Sequence, residues 1–172
     1  MEKKDFIDLL KNRVSVRSFL DKEVSDEDIN FIMDAGKMAP TGMNRQPLLF
    51  IALKNKDIRK KYADLIKEFT ERPTDAYYDS PVVILFFSKD SPTKVLDGAA
   101  ALENMLLATA AIDLGACWIH RSSFFFASEK GKQFQKEIGV GEEYECLESI
   151  ALGYIKGDKP QFKERVEGSK II

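Results

Sequence analysis

The sequence predicts a mixed α and β domain built around one buried helix. Three observations lead to this prediction: a helical stretch that is apolar on almost every side begins at Asp97, helix and strand patterns alternate along the chain, and no low-complexity linker interrupts them. With 172 residues, of which 44% are hydrophobic, the chain is long enough to bury a substantial core. We therefore expect a single domain over residues 1–172.

The organising element is the stretch from Asp97 to Ile119, which reads as about five turns of helix followed by a strand. A helix that is apolar all round is buried on several faces, so we place it at the centre of the fold or against a second copy of the chain. Polar interruptions leave it short of the roughly 20 apolar residues of a bilayer span. Gly115 is expected to end the helix with a positive φ, and a strand over residues 116–119 then leads into a polar turn at residues 120–123.

Charge and cysteine content argue against several classes of protein. The chain has 26 basic and 28 acidic residues with the signs interspersed, which disfavours nucleic acid as a partner. The charged N-terminus has no apolar segment of the kind that a secretory signal requires, and Cys117 and Cys146 are far apart in the sequence. We expect a cytoplasmic protein without a membrane partner, whose cysteines are reduced core residues rather than nucleophiles.

The first candidate site is a short segment that follows a helix predicted over Asp5–Lys11. Polar and apolar residues alternate here, so in an extended chain the side chains of Arg13, Ser15 and Arg17 share one face. Two guanidinium groups and a hydroxyl on one face can grip a phosphate. The alternative, which spacing alone favours, is an edge strand with its charges in water.

The second candidate site is the loop from Ala39 to Pro47, which follows a helix that Ser25 is expected to cap. Two prolines, a glycine and an asparagine prevent a helix from continuing and give the loop a fixed course. Thr41, Asn44 and Gln46 offer both donors and acceptors to a polar heterocycle. The alternative is an ordered turn that only connects the helix to the next strand.

The remaining patterns complete the alternation of helices and strands. Helices are predicted over Asp57–Glu71 and Ser128–Glu137, and strands over Leu48–Leu53, Val82–Phe87 and Leu147–Tyr154. Tyr77 and Tyr78 lie in the loop between the helix 57–71 and the strand 82–87. They either pack in the core, which is the favoured interpretation, or line a pocket. The polar tail after residue 154 ends in Ile171 and Ile172, which suggests docking on another surface such as a partner subunit.

Several common catalytic motifs are absent from the sequence. It contains no GxGxxG after a strand, no P-loop, no HExxH and no GxSxG, so dinucleotide folds, nucleotide hydrolases, zincins and serine hydrolases lack support. His120 is the only histidine. This excludes a multi-histidine metal site and leaves a single candidate base for a catalytic triad, with no nucleophile motif beside it.

Four blocks in order resemble the short members of the nitroreductase family of FMN-dependent oxidoreductases, across essentially the full chain. The blocks are Arg13–Arg17 (RVSVR), Ala39–Pro47 (APTGMNRQP), Gly115–Arg121 (GACWIHR) and Leu152–Tyr154 (LGY). The resemblance implies an α+β fold in three layers, with a central, mostly antiparallel sheet flanked by helices. It also implies that the long buried helix lies at a dimer interface.

The resemblance assigns a role in FMN binding to residues of each block and of the basic tail. It implies that the flavin phosphate is held by Arg13, Ser15 and Arg17 with Lys163 and Arg165 of the tail, that Pro40, Thr41, Asn44 and Gln46 reach the flavin from the neighbouring subunit, and that His120 and Arg121 contact the flavin or the substrate. No side chain acts as a nucleophile, because the flavin performs the chemistry.

The activity that the resemblance implies is hydride transfer in a homodimer with two FMN molecules. NADH or NADPH reduces the flavin, which then reduces a nitroaromatic, quinone or similar small acceptor in a ping-pong scheme. Two alternatives stay open. One is a flavin carrier or sensor without nicotinamide turnover, and the other is a dimerisation module that binds no flavin.

Overall fold

The computed structural model describes residues 2–166 and 168–170 as six helices, four strands and a short 3₁₀ turn. The helices are α1 (Lys3–Asn12), α2 (Asp26–Lys37), α3 (Lys56–Thr70), α4 (Lys94–Ala111), α5 (Ser122–Phe126) and α6 (Glu129–Glu137); the strands are β1 (Leu48–Leu53), β2 (Val82–Lys89), β3 (Gly115–Ile119) and β4 (Tyr144–Gly153); the 3₁₀ turn is Gly42–Asn44. Ile171 and Ile172, for which the sequence predicts docking, lie outside the described residues.

The four strands form one antiparallel sheet in the order β1-β2-β4-β3. β2 and β4 are the inner strands and are almost fully buried, which explains the continuous apolar run at the start of β2. β1 and β3 are the outer strands. Beside β3, the N-terminal segment adds a single parallel bridge between Ser15 and Ala116.

Helices cover both faces of the sheet, so the molecule has three layers. On one face α2 and α4 pack through Ile32 and Met105 against Ile84 and Ile150 of the inner strands. On the other face Tyr62 of α3 and aromatic residues of α5 and α6 form a second core. The predicted α+β fold, with an antiparallel sheet between layers of helices, is confirmed. None of the helices in the described ranges is long and apolar enough to cross a bilayer.

The end of α4 differs from the prediction at Gly115. The residue with positive φ is Asp113 (φ 56), and the N–H of Leu114 donates to the carbonyl of Thr109, which closes the helix in a Schellman-type cap. Gly115 instead begins β3. A side chain there would lie 2.8 Å from Val16, so the glycine permits the N-terminal segment to approach β3 closely.

The helix α5 was missed by the sequence reading, which placed a polar turn at residues 120–123. The turn ends at Arg121, and Ser122 already belongs to the helix. Ser122 is polar but fully buried, and its hydroxyl donates to Ser149 of β4 at 2.6 Å. The sequence does not distinguish a buried serine that bonds across the core from an exposed serine in a turn. The predicted turn therefore extends past the observed start of α5.

Candidate functional site

The N-terminal segment lies along β3 as the alternation predicts. The N–H of Val16 donates to the carbonyl of Ala116 at 2.9 Å, and the Val16 side chain is buried. The side chains of Arg13, Ser15 and Arg17 therefore alternate with the buried one, and Arg17 is exposed. Arg13 approaches the carboxylate of Glu103 at 3.5 Å, a loose ion pair at the surface of α4. Within residues 2–166 and 168–170, Arg17 makes no ion pair.

The basic tail runs beside the same segment. The N–H of Lys156 donates to the carbonyl of Ser18 at 3.1 Å, and the ammonium of Lys159 donates to the side chain of Asn12 at 2.5 Å. Further along, Phe162 lies between the cationic groups of Lys11 and Arg165, at 6.0 and 5.0 Å from its ring centre. The structure thus brings the tail to the N-terminal arginines, with both Lys163 and Arg165 exposed.

The loop from Ala39 to Pro47 has an unusually constrained backbone. Met43, Asn44 and Gln46 all have positive φ, between 51 and 54°, which is uncommon for residues other than glycine. Such strain persists where surrounding contacts impose it, and it clusters at binding sites. In this loop the hydroxyl of Thr41 accepts the N–H of Gln46 at 3.0 Å, and the amide of Gln46 donates to Asn44 at 2.9 Å.

The polar groups of this loop face solvent. Pro40, Asn44 and Gln46 are exposed, and Thr41 is half-buried. The loop is fixed to the first turn of α4, because the N–H of Gly42 donates to the buried carboxylate of Asp97 at 3.0 Å. The loop is therefore a rigid element that offers amide groups outward.

Within one chain the loop and the N-terminal segment lie at opposite corners of the sheet. Leu48, next to the loop, pairs with Ser88 on β2, whereas Ala116 is level with Val82 through Leu152. Positions 82 and 88 are separated by about 20 Å along the strand. The two sites also flank the two outer strands of the sheet. The two sites are therefore far apart within one chain.

The third block ends in a hydrogen-bonded cluster at the end of β3. The carboxylate of Glu148 on β4 accepts the indole N–H of Trp118 at 2.7 Å and lies 2.6 Å from Nδ1 of His120. Glu148 is buried, whereas the side chain of His120 is 69% exposed. Arg121 follows at the rim of a neighbouring cleft. The cleft has a volume of about 510 Å³ and is lined by residues of β3, α5 and the loop after α3, including Arg72, Tyr78, Trp118, His120, Arg121 and Phe124.

Buried hydroxyl groups support this end of β3. Tyr62, Tyr77 and Ser149 form a chain with oxygen–oxygen distances of 2.8 and 3.0 Å, and Ser149 donates to the carbonyl of Ile119 at 2.8 Å. Burial raises the pKa of Tyr77 to about 12 and holds the pKa of Tyr62 well above its ordinary value. Both tyrosines are neutral hydrogen-bonding groups at neutral pH. Tyr77 packs in the core as favoured, whereas Tyr78 lines the cleft.

The same loop is anchored by a buried ion pair. The guanidinium of Arg59 on α3 lies 2.5 Å from the carboxylate of Asp75, and both side chains are almost completely buried. Asp75 also accepts the backbone N–H groups of Tyr77 and Asp79. The wall of the cleft formed by Tyr78 is therefore held from inside the protein.

Both cysteines are core residues, as expected. Burial raises the pKa of the Cys117 thiol and raises that of Cys146 well above its ordinary value, so neither is a thiolate at neutral pH. Among the described residues no group of three histidine, cysteine or acidic side chains could hold a metal ion.

Two residues of the candidate sites were missed by the sequence reading, Asp97 and Glu148. The sequence pattern indicates only that a helix starts at Asp97. An acid before a long apolar stretch can also indicate a carboxylate that binds a neighbouring segment near the end of the helix. Glu148 is the one acid within the apolar run of the last predicted strand. A charge at a buried strand position indicates a polar partner nearby, and that signal was available.

Comparison with known proteins relates this arrangement to a family. The sequence model described as Nitroreductase family matches residues 10–154. A provisionally named NADH dehydrogenase/NAD(P)H nitroreductase of Archaeoglobus fulgidus is 29% identical over 155 residues, covering 88% of this chain and 86% of that protein.

Solved structures share the fold of this chain. A nitroreductase from Bacteroides fragilis with bound FMN superimposes with a TM-score of 0.88 at 24% identity, over 100% of this chain and 98% of its own. A nitroreductase with bound FMN from Desulfitobacterium hafniense gives a TM-score of 0.83 at 23% identity, over 99% and 100% of the two chains. Because the family match spans most of the chain, from α1 through the end of β4, this protein belongs to the Nitroreductase family.

Proposed function

We propose that this protein is an FMN-dependent oxidoreductase that transfers hydride from NADH or NADPH, through FMN, to a nitroaromatic, quinone or similar acceptor. Membership of the Nitroreductase family supports the class of chemistry. The bound FMN of the similar nitroreductases from Bacteroides fragilis and Desulfitobacterium hafniense supports the choice of cofactor. The positions of the polar sites support a cofactor held between two chains.

The observation that carries this proposal is the separation of the loop 39–47 from the segment 13–17. They lie at opposite corners of one chain, so a single flavin reaches both only if two chains contribute. A twofold axis places the loop of each chain against the segment of the other and creates two identical sites. The proposed assembly is therefore a homodimer with two FMN molecules.

Exposed apolar side chains support such an interface. Large hydrophobic residues are exposed on α1, on α2, on the loop 39–47 and on the first turn of α4, and contiguous surfaces of this kind commonly mark protein contacts. These residues are Phe6, Ile7, Phe31, Met38, Met43, Val95 and Leu96. Met43 and Leu96, at 84% and 72% exposure, lie on the elements that the proposed site uses.

The basic corner of the molecule fits the phosphate of FMN. Arg13 and Arg17 present guanidinium forks that match phosphate oxygens, and the Ser15 hydroxyl lies between them in the sequence. The weak contact of Arg13 with Glu103 leaves its other nitrogen atoms available to an anion. Lys163 and Arg165 of the tail complete the proposed phosphate site.

The ring of FMN is assigned to the loop of the second chain and to the end of β3. Pro40, Thr41, Asn44 and Gln46 supply a rigid edge with amide donors and acceptors, which suits a polar heterocycle. When bound, FMN accepts hydride from the nicotinamide and delivers electrons to the acceptor. Near the ring, His120 and Arg121 contact the flavin or the substrate, and the charge of Arg121 stabilises the negative charge that reduction adds.

The ping-pong order is proposed because the sequence shows no separate binding motif for the nicotinamide substrate. The sequence has no dinucleotide-binding motif, and the cleft beside His120 is open and lined by aromatic rings. Nicotinamide and acceptor are both planar rings, so in this proposal they occupy the same place in turn.

The test is the visible absorption spectrum of the purified protein, with the released chromophore identified by chromatography after denaturation. We expect a yellow protein that releases about one FMN per chain. A colourless protein that also fails to take up added FMN would contradict the proposal. Oxidation of NADH or NADPH with a quinone then separates an enzyme from a flavin carrier or sensor, which would bind FMN without this turnover.

A further inference from the structure

The cluster of Trp118, His120 and Glu148 has a geometry that packing alone does not require. Trp118 and His120 are alternate residues at the end of β3, and both reach the same carboxylate on β4. A buried carboxylate is costly unless its oxygens are paired, and here each oxygen has one partner. A neutral amide at position 148 would satisfy the indole N–H. A carboxylate, which only accepts, requires in addition that the imidazole carry a proton on Nδ1.

The imidazole is oriented by this contact. Since Glu148 accepts the hydrogen bond from Nδ1, the opposite nitrogen, Nε2, points away from the carboxylate, and the ring is mostly exposed. A carboxylate that fixes the tautomer and the direction of a histidine is the usual support for proton transfer. Nε2 is therefore the atom that this arrangement presents to a ligand.

The surroundings of His120 fit a planar aromatic ligand. The ring of Phe124 stands edge-on to the imidazole at 5.5 Å, and Trp118 and Tyr78 expose parts of their rings to the same cleft. Aromatic side chains stack on planar rings, while Arg72 and Arg121 at the rim can bind electron-rich oxygen atoms. The cleft thus combines stacking surfaces, cationic groups and one oriented imidazole.

We propose that His120, positioned by Glu148, donates the proton that accompanies hydride transfer to an aromatic acceptor in this cleft. The proposal rests on the proposed function, since the hydride comes from FMN that NADH or NADPH has reduced. For a quinone, one carbonyl oxygen receives the hydride and the other receives the proton from Nε2 of the imidazolium. Both carbonyls become hydroxyl groups, two electrons enter the ring, and the neutral imidazole is protonated again by solvent.

The charged and titratable groups facing His120 come from three elements. Glu148 lies on β4, and Arg121 directly follows His120 in the sequence. Arg72, Asp75 and Tyr78 line the cleft from the loop after α3. Asp75 is occupied by its ion pair with Arg59.

The first test separates the two halves of the reaction in the flavin-loaded protein. The variant His120→Asn keeps an amide donor near the Nδ1 position but removes the transferable proton. We expect quinone reduction by the prereduced variant at pH 6 to be slower by about 100-fold, the lower end for general acid catalysis. We expect its FMN content and its reduction by NADH or NADPH to change by a smaller factor than quinone reduction.

Glu148→Gln should slow the same step by a smaller factor, because the imidazole remains but loses its orientation. The matched control is Glu145→Gln. Glu145 is an exposed acid of the same strand and pairs with Lys94, and we expect its substitution to leave quinone reduction unchanged. Unchanged quinone reduction in His120→Asn would overturn the proton-donor role. A wild-type protein that binds no FMN would instead count against the proposed function.

The second test needs no turnover. Trp118 is the only tryptophan and His120 the only histidine, so the emission of the protein reports on one carboxylate that both contact. We expect Trp118 fluorescence to change in His120→Asn and in Glu148→Gln, because each substitution alters a group that contacts the acceptor of the indole N–H. Emission in His120→Asn that equals that of the wild-type protein would overturn the coupling of His120 to Glu148.

Discussion

Gly42 donates its backbone N–H to the buried carboxylate of Asp97 at 3.0 Å, and this bond joins the loop 39–47 to the first turn of α4. The other carboxylate oxygen accepts the hydroxyl of Thr93 at 3.0 Å. A side chain at position 42 would lie 2.2 Å from Thr93, so the loop approaches the helix more closely than any residue but glycine allows. The strained course of the loop is thereby imposed by α4.

Asp97→Ala should release this loop. The substitution leaves the N–H of Gly42 and the hydroxyl of Thr93 without their acceptor, which costs about 1–3 kcal/mol of unfolding free energy. FMN affinity should fall as well, because the loop no longer holds its shape. Urea unfolding and FMN titration measure the two effects. Asp90→Ala is the control, since Asp90 is exposed and pairs with Lys94 at the surface; equal behaviour of the two variants would contradict the anchoring role.

Arg17→Ala should weaken FMN binding by removing a guanidinium from the phosphate. We expect the dissociation constant to rise about tenfold, which corresponds to ~1.4 kcal/mol. The difference from the wild-type protein should shrink at high salt, because screening weakens exposed charge pairs. Fluorescence titration with FMN at two ionic strengths measures this. Lys132→Ala, on α6 far from the segment, serves as control; full FMN content with unchanged affinity in Arg17→Ala would rule out the phosphate role.

Asp75→Asn should destabilise the fold more than any surface charge change. Arg59 would remain buried without its counter-ion, at a cost of about 3–5 kcal/mol. The matched control is Glu137→Gln, which breaks the exposed pair with Lys61 and should cost no more than about 1 kcal/mol. Denaturant unfolding compares them. Similar losses in the two variants would mean that the Arg59 pair is not isolated from water.

The stability of the protein should fall at alkaline pH. Burial raises the pKa values of Cys146 and Tyr77 in the folded protein, whereas in the unfolded chain these groups ionise near about 8.5 and 10. The folded state then binds more protons than the unfolded state, so stability is complete below about pH 8.5 and is lost above it. Urea unfolding at pH 7, 9 and 10 checks this.

Two variations sharpen the alkaline experiment. Cys146→Ala should show a shallower loss of stability between pH 8.5 and 10, because one of the ionising groups is gone. Neither thiol should react with a maleimide at pH 7 until the protein unfolds. Rapid labelling of the folded protein, or stability that rises with pH, would show that the thiols are not buried as described.

The periodicity of the sequence was sufficient for most of the fold and for the N-terminal segment. β1 was predicted with its observed bounds, and the alternation of Arg13, Ser15 and Arg17 matches a segment paired with β3. These predictions succeeded because strand alternation and helix periodicity are local properties that tertiary contacts preserved. The roles of these residues toward FMN stay predictions.

The misses have long-range causes. Gly115 was read as a helix end, but its lack of a side chain serves a contact with Val16, almost a hundred residues away in the chain. The residue with positive φ at the cap is instead Asp113. Glu148 lies 28 residues from His120, and only the pairing of β3 with β4 brings them together. The local pattern indicates that Glu148 has a polar partner but does not identify it as His120.

The measurement that tests the account most directly is FMN binding by a mixed dimer. One chain has Arg17→Ala, the other has Asn44→Ala with Gln46→Ala, and two different affinity tags allow the mixed dimer to be isolated. If each site takes its segment 13–17 from one chain and its loop 39–47 from the other, one site is intact, and we expect about one tightly bound FMN per mixed dimer. The parent dimers should each bind weakly. A mixed dimer that binds no better than its parents would contradict a flavin site shared between two chains.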